Sequence, residues 1–376
     1  YNLTVRVGSG DYDLIGVHRV ARESRPGYPE PTKVAVFLQH GDAKEFVGMF
    51  LPGMYSSSTP DDFGLAGFLA DRKVDVWGID QAWTRVGSDV VDLSFMAPWG
   101  MDRQIDDLLT AIGIARRTRA GERGTLEPMD LLGYSSGLLV GYALLNRESQ
   151  LPAAQRQVSG FIPVDAPYIV GPSPFRDSWC ADHDRLQSLR DGGQFDNPPY
   201  FNLFGQLARS APNDPSPLVP GLTNLQAALF LATTQLLPTS PWHYFAGVFD
   251  PVTGLATGLR YVPTDLLLSF LETSPPTAPI QFAIDYEAII CGLPNPWSGH
   301  LGDITVPIFT VSAAGGAGGT MPETLALLGS KDIKELTIEL LPPDQILADF
   351  GHIDLFTAYN APDLVWQPML AWLKQH

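Results

Sequence analysis

Cysteine is nearly absent: Cys180 and Cys291 are the only two in 376 residues, and they stand in no Cys-x-x-Cys or zinc-ligand spacing. A redox motif and a cysteine-built metal site are thereby excluded. The pair leaves two states open, a disulfide in an oxidising compartment or two buried thiols. Basic charge is also short, with 24 Lys and Arg against 41 Asp and Glu and a net charge of -17. With no Lys/Arg run to offset that charge, phosphate backbones are repelled, and nucleic acid is ruled out as a partner. Long apolar runs are missing too. Stretches such as Leu138 to Leu145 and Ala227 to Ala232 fall well below the roughly 18 residues of a membrane span, so no integral membrane segment is expected. There is no H-E-x-x-H, and acidic pairs such as Asp106-Asp107 read as solvated surface, so neither a metal nor another cofactor is expected. The chain begins at Tyr1 with neither Met nor an apolar leader. Together with its acidity and few cysteines, this points toward a secreted or periplasmic protein, with a cytoplasmic one as the alternative.

What is present describes a large folded protein. Hydrophobic residues make up 45% and charged residues 17%, enough apolar side chain for a sizeable core. Residues 1 to 38 read as strands, with Lys33 to Leu38 a buried run. Glu45 to Leu51 reads as a further strand ending in Pro52-Gly53, which makes Gln39-His40-Gly41-Asp42 a hairpin turn. Helical spacing from Phe63 to Arg72 feeds the strand Val74 to Asp80, and an amphipathic helix from Met101 to Arg117 precedes the strand Met129 to Leu132. After a helix from Leu138 to Leu145, the strand Val158 to Val164 ends at Asp165. Such alternation predicts an α/β fold with a mostly parallel central sheet flanked by helices. From Tyr168 to Leu301 the rhythm breaks into prolines, aromatics and helical patterns. Strands resume at Ile304 to Val311 and Glu335 to Leu340, before a last helix from Asp363 to Lys374. The expected organisation is a core of residues 1–167 and 302–376 with a mainly helical lid, 168–301, inserted after the strand that follows the Leu138 helix.

Chemistry concentrates at Gly133-Tyr134-Ser135-Ser136-Gly137. A G-x-S-x-G between a strand and a helix suits a nucleophile elbow, a turn that lifts the serine Oγ clear of the sheet and aims the next helix N-terminus at a developing oxyanion. A tight turn with an exposed serine is the plainer alternative. Acyl chemistry at Ser135 needs a base, an acid to orient it and N–H donors. Of the seven histidines, His352 alone follows the last strand and precedes the last helix, where a loop can carry an imidazole toward Ser135. No carboxylate follows Val311 until Glu323, because the chain there runs through a glycine-rich tract. Asp165, at the carboxyl end of the neighbouring strand, is the better acid, and Glu323 is the second choice. Ser136 N–H is one oxyanion donor. Met54 N–H, after Pro52-Gly53 and ahead of the Phe63 helix, is preferred as the other over the loop at His40.

Across nearly its whole length the chain resembles the α/β-hydrolase superfamily of serine esterases and lipases. The resemblance rests on Leu51-Pro52-Gly53 with Leu65 to Asp80, on Gly133 to Gly137, on Ile304 to Val311 and on Gly351-His352. It implies Ser135 as nucleophile, His352 as base, and the Ser136 and Met54 amides as oxyanion hole. The missing carboxylate after Val311 departs from the commonest pattern. It matches a minority, some lipases among them, whose acid stands where Asp165 does. The expected activity is cleavage of a carboxylic ester or lactone, bulky and apolar given the aromatic content of the lid. Two alternatives remain: acyl transfer by the same residues, and a binding protein that keeps the fold without catalysis.

Overall fold

A computed structural model of the chain describes residues 1–42, 44–237 and 239–376. The strands are β1 (Asn2–Arg6), β2 (Leu14–Val20), β3 (Glu23–Arg25), β4 (Tyr28–Pro29), β5 (Ala35–Gln39), β6 (Asp75–Asp80), β7 (Met129–Tyr134), β8 (Val158–Val164), β9 (Gly247–Phe249), β10 (Ala256–Leu259), β11 (Ile308–Ala313) and β12 (Ile333–Ile338). Eight of them form one sheet in the order β1-β2-β6-β5-β7-β8-β11-β12. The pairings β1/β2 and β2/β6 are antiparallel, and all the others in this sheet are parallel. β5, β6 and β7 are buried at every residue, which is why they read as mostly apolar runs rather than alternating ones.

The helices are α1 (Phe46–Phe50), α2 (Leu65–Asp71), α3 (Met101–Arg123), α4 (Ser136–Glu148), α5 (Pro174–Asp191), α6 (Phe201–Ser210), α7 (Asn224–Thr233), α8 (Thr264–Glu272), α9 (Ile280–Cys291), α10 (Met321–Leu325), α11 (Asp354–Thr357) and α12 (Gln367–Leu373). Two apolar clusters cover the two faces of the sheet. One gathers α3 and α4 residues such as Ile105, Leu108 and Leu144. The other gathers α1, α2 and α12 residues such as Phe50, Leu69 and Trp372. Among the described residues between β8 and β11 there are five α-helices, α5 to α9, and one two-stranded ribbon, β9 with β10. Cys180 on α5 and Cys291 on α9 are joined by a disulfide, their Cα atoms 5.1 Å apart.

One local element differs from the sequence expectation. Glu45 to Leu51 is not a strand: its centre is helix α1, with the Glu45 carboxylate accepting from Gly48 N–H at 3.1 Å as the cap. A short apolar run has no period that separates a buried helix from a buried strand, and the capping carboxylate decides for the helix. The segment Gln39-His40-Gly41-Asp42 therefore leaves the carboxyl end of β5 for a helix and is no hairpin turn.

Chain order decides where a site can form. From β5 the chain proceeds to β6 on one side, and then returns to place β7 on the other. A crevice opens beyond the carboxyl ends of β5 and β7, at the point where the winding reverses, and loops from neighbouring strands converge there.

Candidate active site

Ser135 sits at the tip of β7, as the residue before α4, with φ 55° and ψ -129°. This strained conformation costs of the order of 1–3 kcal/mol and is held by its surroundings. The flanking glycines are sterically required. A Cβ on Gly133 would lie 2.5 Å from Gly137 O, and one on Gly137 would lie 2.4 Å from His40 O. Ser135 N–H donates to Val164 O at 3.0 Å, so the sheet ladder continues up to the serine. Ser136 opens α4, where the first N–H groups have no partner inside the helix.

His352 and Asp165 meet across the sheet ends. Asp165 lies just past β8, fully buried, with φ 53°. Its Oδ2 is 2.7 Å from His352 Nδ1, and its Oδ1 accepts from Ala313 N–H at 3.1 Å. The His352 ring stacks on Tyr134 at 4.7 Å and meets the edge of Trp242 at 5.4 Å. With Nδ1 engaged by the carboxylate, Nε2 is the nitrogen left for a substrate-side proton. Ser135, Ser136 and His352 line one cavity of about 220 Å³. A second recess of about 600 Å³ shares Trp179, Trp242 and Tyr244 with it, and the two Trp rings stack at 5.7 Å.

The glycine-rich tract after β11 has a steric reason. A Cβ on Gly316 would come within 2.0 Å of Asp165 Oδ2, and one on Gly315 within 2.1 Å of the His243 ring. The position where a carboxylate was missing is bare because the Asp165 carboxylate occupies the space. Glu323 is elsewhere, on α10, accepting from Gly171 N–H at 2.6 Å.

Met54 is not brought to Ser135. It is 55% exposed, and its N–H donates to Leu51 O at 3.0 Å within a 3-10 turn. The backbone that approaches Ser135 is the β5–α1 loop: a Cβ on Gly41 would stand 2.6 Å from Ser135 Cβ and 3.2 Å from its Oγ. Next to it, Asp42 lines the cavity. Its carboxylate accepts from Ser136 Oγ at 2.5 Å and from the Tyr286 hydroxyl at 3.3 Å. Burial pushes the Asp42 pKa up, against those two hydrogen bonds. Sequence pattern carried one signal for this loop, the His-Gly pair itself, which the misread strand had set aside.

Among the described residues, no group of three His, Cys, Asp or Glu side chains is placed to hold a metal ion, and no helix is long and apolar enough to cross a membrane.

No known family profile matches the chain, and no curated protein matches it by sequence. Solved structures do. A candidate lipase from Sulfolobus solfataricus is similar over 100% of this chain and 93% of its own, with a TM-score of 0.66 at 18% identity. A variant of an epoxide hydrolase from Vigna radiata is similar over 100% of this chain and 99% of its own, with a TM-score of 0.56 at 12% identity. At such identities the likeness is one of fold. The chain has the α/β-hydrolase fold, with an eight-stranded, mostly parallel sheet between helical layers.

Proposed function

We propose that the chain is a serine hydrolase that cleaves a carboxylic ester or lactone through an acyl-enzyme. The observation that carries this reading is the 2.7 Å contact of His352 Nδ1 with Asp165 Oδ2, made by residues 187 apart, with His352 lining the same cavity as Ser135. Ser135 Oγ bonds to the carbonyl carbon as its proton passes to His352 Nε2. Asp165 holds the imidazole tautomer and offsets the charge that forms. His352 returns the proton to the leaving alcohol, and a water molecule then repeats the sequence to release the acid. The Ser136 amide and the Asp42 amide, in place of Met54, are the donors for the tetrahedral oxyanion. Residues 168–301 act as a lid on a core of 1–167 and 302–376. The cavity walls are largely apolar and aromatic, which favours an apolar substrate body. The Cys180–Cys291 disulfide agrees with a secreted or periplasmic location.

A fluorophosphonate probe tests the reading. One covalent adduct is expected, on Ser135, absent in Ser135→Ala together with p-nitrophenyl ester turnover. A protein that takes no label at Ser135 would remove serine catalysis from consideration. Labelling without turnover in water, but with turnover on added alcohol, would favour acyl transfer.

A further inference from the structure

The cavity beside Ser135 contains a lysine that the proposed reaction does not use. Lys44 is fully buried and lines the same cavity as Ser135, between apolar neighbours that include Met49, Phe201 and Phe270. Its ammonium donates to Thr273 Oγ1 at 2.6 Å and lies 4.6 Å from the centre of the Phe270 ring. Thr273 spends its own proton on Ser269 O at 2.7 Å, so it serves the ammonium as an acceptor. An ammonium has three donors, and among the described residues Thr273 is its one hydrogen-bond partner and no carboxylate stands within ion-pair distance. Glu45 attracts it from further away, while burial pushes its pKa down to about 7. Asp42, the acid that lines this cavity among the described residues, is engaged by Ser136 and Tyr286.

A buried cation with open donors is costly unless an anion completes it. We propose that Lys44 is the anion-recognition point of this cavity, and that the substrate is an ester with a free carboxylate at the far end of a short apolar chain. The carboxylate sits on Lys44 while the ester carbonyl faces Ser135. One ammonium without an Arg fork suits a singly charged carboxylate better than a phosphate dianion, which calls for more positive charge. The cavity of about 220 Å³ that both residues line suits a chain of a few carbons between the two groups. This substrate class rests on the serine-hydrolase reading above.

Two esters of matched length separate the possibilities: the mono-p-nitrophenyl ester of glutaric acid, and p-nitrophenyl pentanoate. The ratio of their kcat/KM values is expected to favour the glutarate ester in the wild type. In Lys44→Met that ratio should fall about 30-fold, mainly through KM. An unchanged ratio would overturn the proposal. A second measurement needs neither turnover nor the Lys44 variant. Glutarate at about 10 mM should raise the Tm of Ser135→Ala, and its uncharged analogue glutaramide should not. Equal shifts, or none with glutarate, would also overturn the anion site. If Ser135 takes no fluorophosphonate and neither ester is cleaved, the hydrolase reading fails by itself, and the Tm comparison still decides the fate of Lys44.

Discussion

Asp165 illustrates how one side chain shapes residues far from it in sequence. Its carboxylate is fully buried and accepts from Ala313 N–H while facing His352 Nδ1. The space it needs is left open by Gly316, where any Cβ would collide with it. The sequence shows a missing carboxylate after Val311 and a glycine tract in its place. That these are two sides of one steric fact emerges only when β8 and β11 are paired. Asp165→Asn is expected to lower kcat for a p-nitrophenyl ester by about four orders of magnitude, through loss of the imidazole tautomer and of the countercharge. Glu323→Gln, which touches Gly171 on the surface, should stay within about twofold of the wild type. The reverse outcome would move the acid to Glu323. Gly316→Ala should lower kcat as well, because the added methyl displaces the Asp165 carboxylate.

At the level of elements, the β5–α1 loop holds the second lesson. Phe46 to Phe50 is apolar and only five residues long, and in so short a run periodicity does not distinguish helix from strand. Read as a strand, it turns His40-Gly41 into a hairpin and sends the search for an N–H donor on to Met54. Folded as a capped helix, it leaves Gly41 against Ser135 and Met54 in solvent. Gly41→Ala puts its methyl group within 3.2 Å of Ser135 Oγ, inside van der Waals contact. Esterase activity should drop by about 100-fold or more, since displacement of the proposed nucleophile by a fraction of an ångström is enough for such a loss. Far-UV circular dichroism should remain that of the wild type. Full activity in this variant would show that the loop tolerates a side chain there, and would return the choice of oxyanion donor to other backbone.

On the scale of the whole molecule, the helices from α5 to α9 carry a buried titratable group whose effect is on stability. Glu287, on α9, is 2% exposed. Burial first, and then the Asp182 carboxylate, push its pKa up from 4.5 to about 10. Between those two values the folded chain binds the extra proton, so this group's contribution to stability is complete below about 4.5 and is lost as pH rises toward 10. Lys44 works in the opposite sense, because its lowered pKa makes stability rise with pH between about 7 and 10.5. Wild-type curves mix the two, and a variant separates them. Glu287→Gln should raise the Tm at pH 8 by about 2 °C or more, with the gain shrinking toward pH 5. A difference that does not change with pH would mean that Glu287 is not held neutral in the folded chain.

By itself the sequence determined the α/β rhythm and the buried parallel strands, and it picked out Ser135, His352 and Asp165, the residues to which the proposed reaction assigns its roles. Each of these is written in local pattern: apolar runs, glycine spacing, and position in chain order relative to the strands. The tertiary structure alone decided which loop lies against Ser135, why glycines follow Val311, and where Lys44 points. These depend on which strands are neighbours and on how closely backbone and side chain approach across the crevice. Chain order constrains strand adjacency, while close approaches between residues far apart in the chain leave no periodic trace in a single sequence.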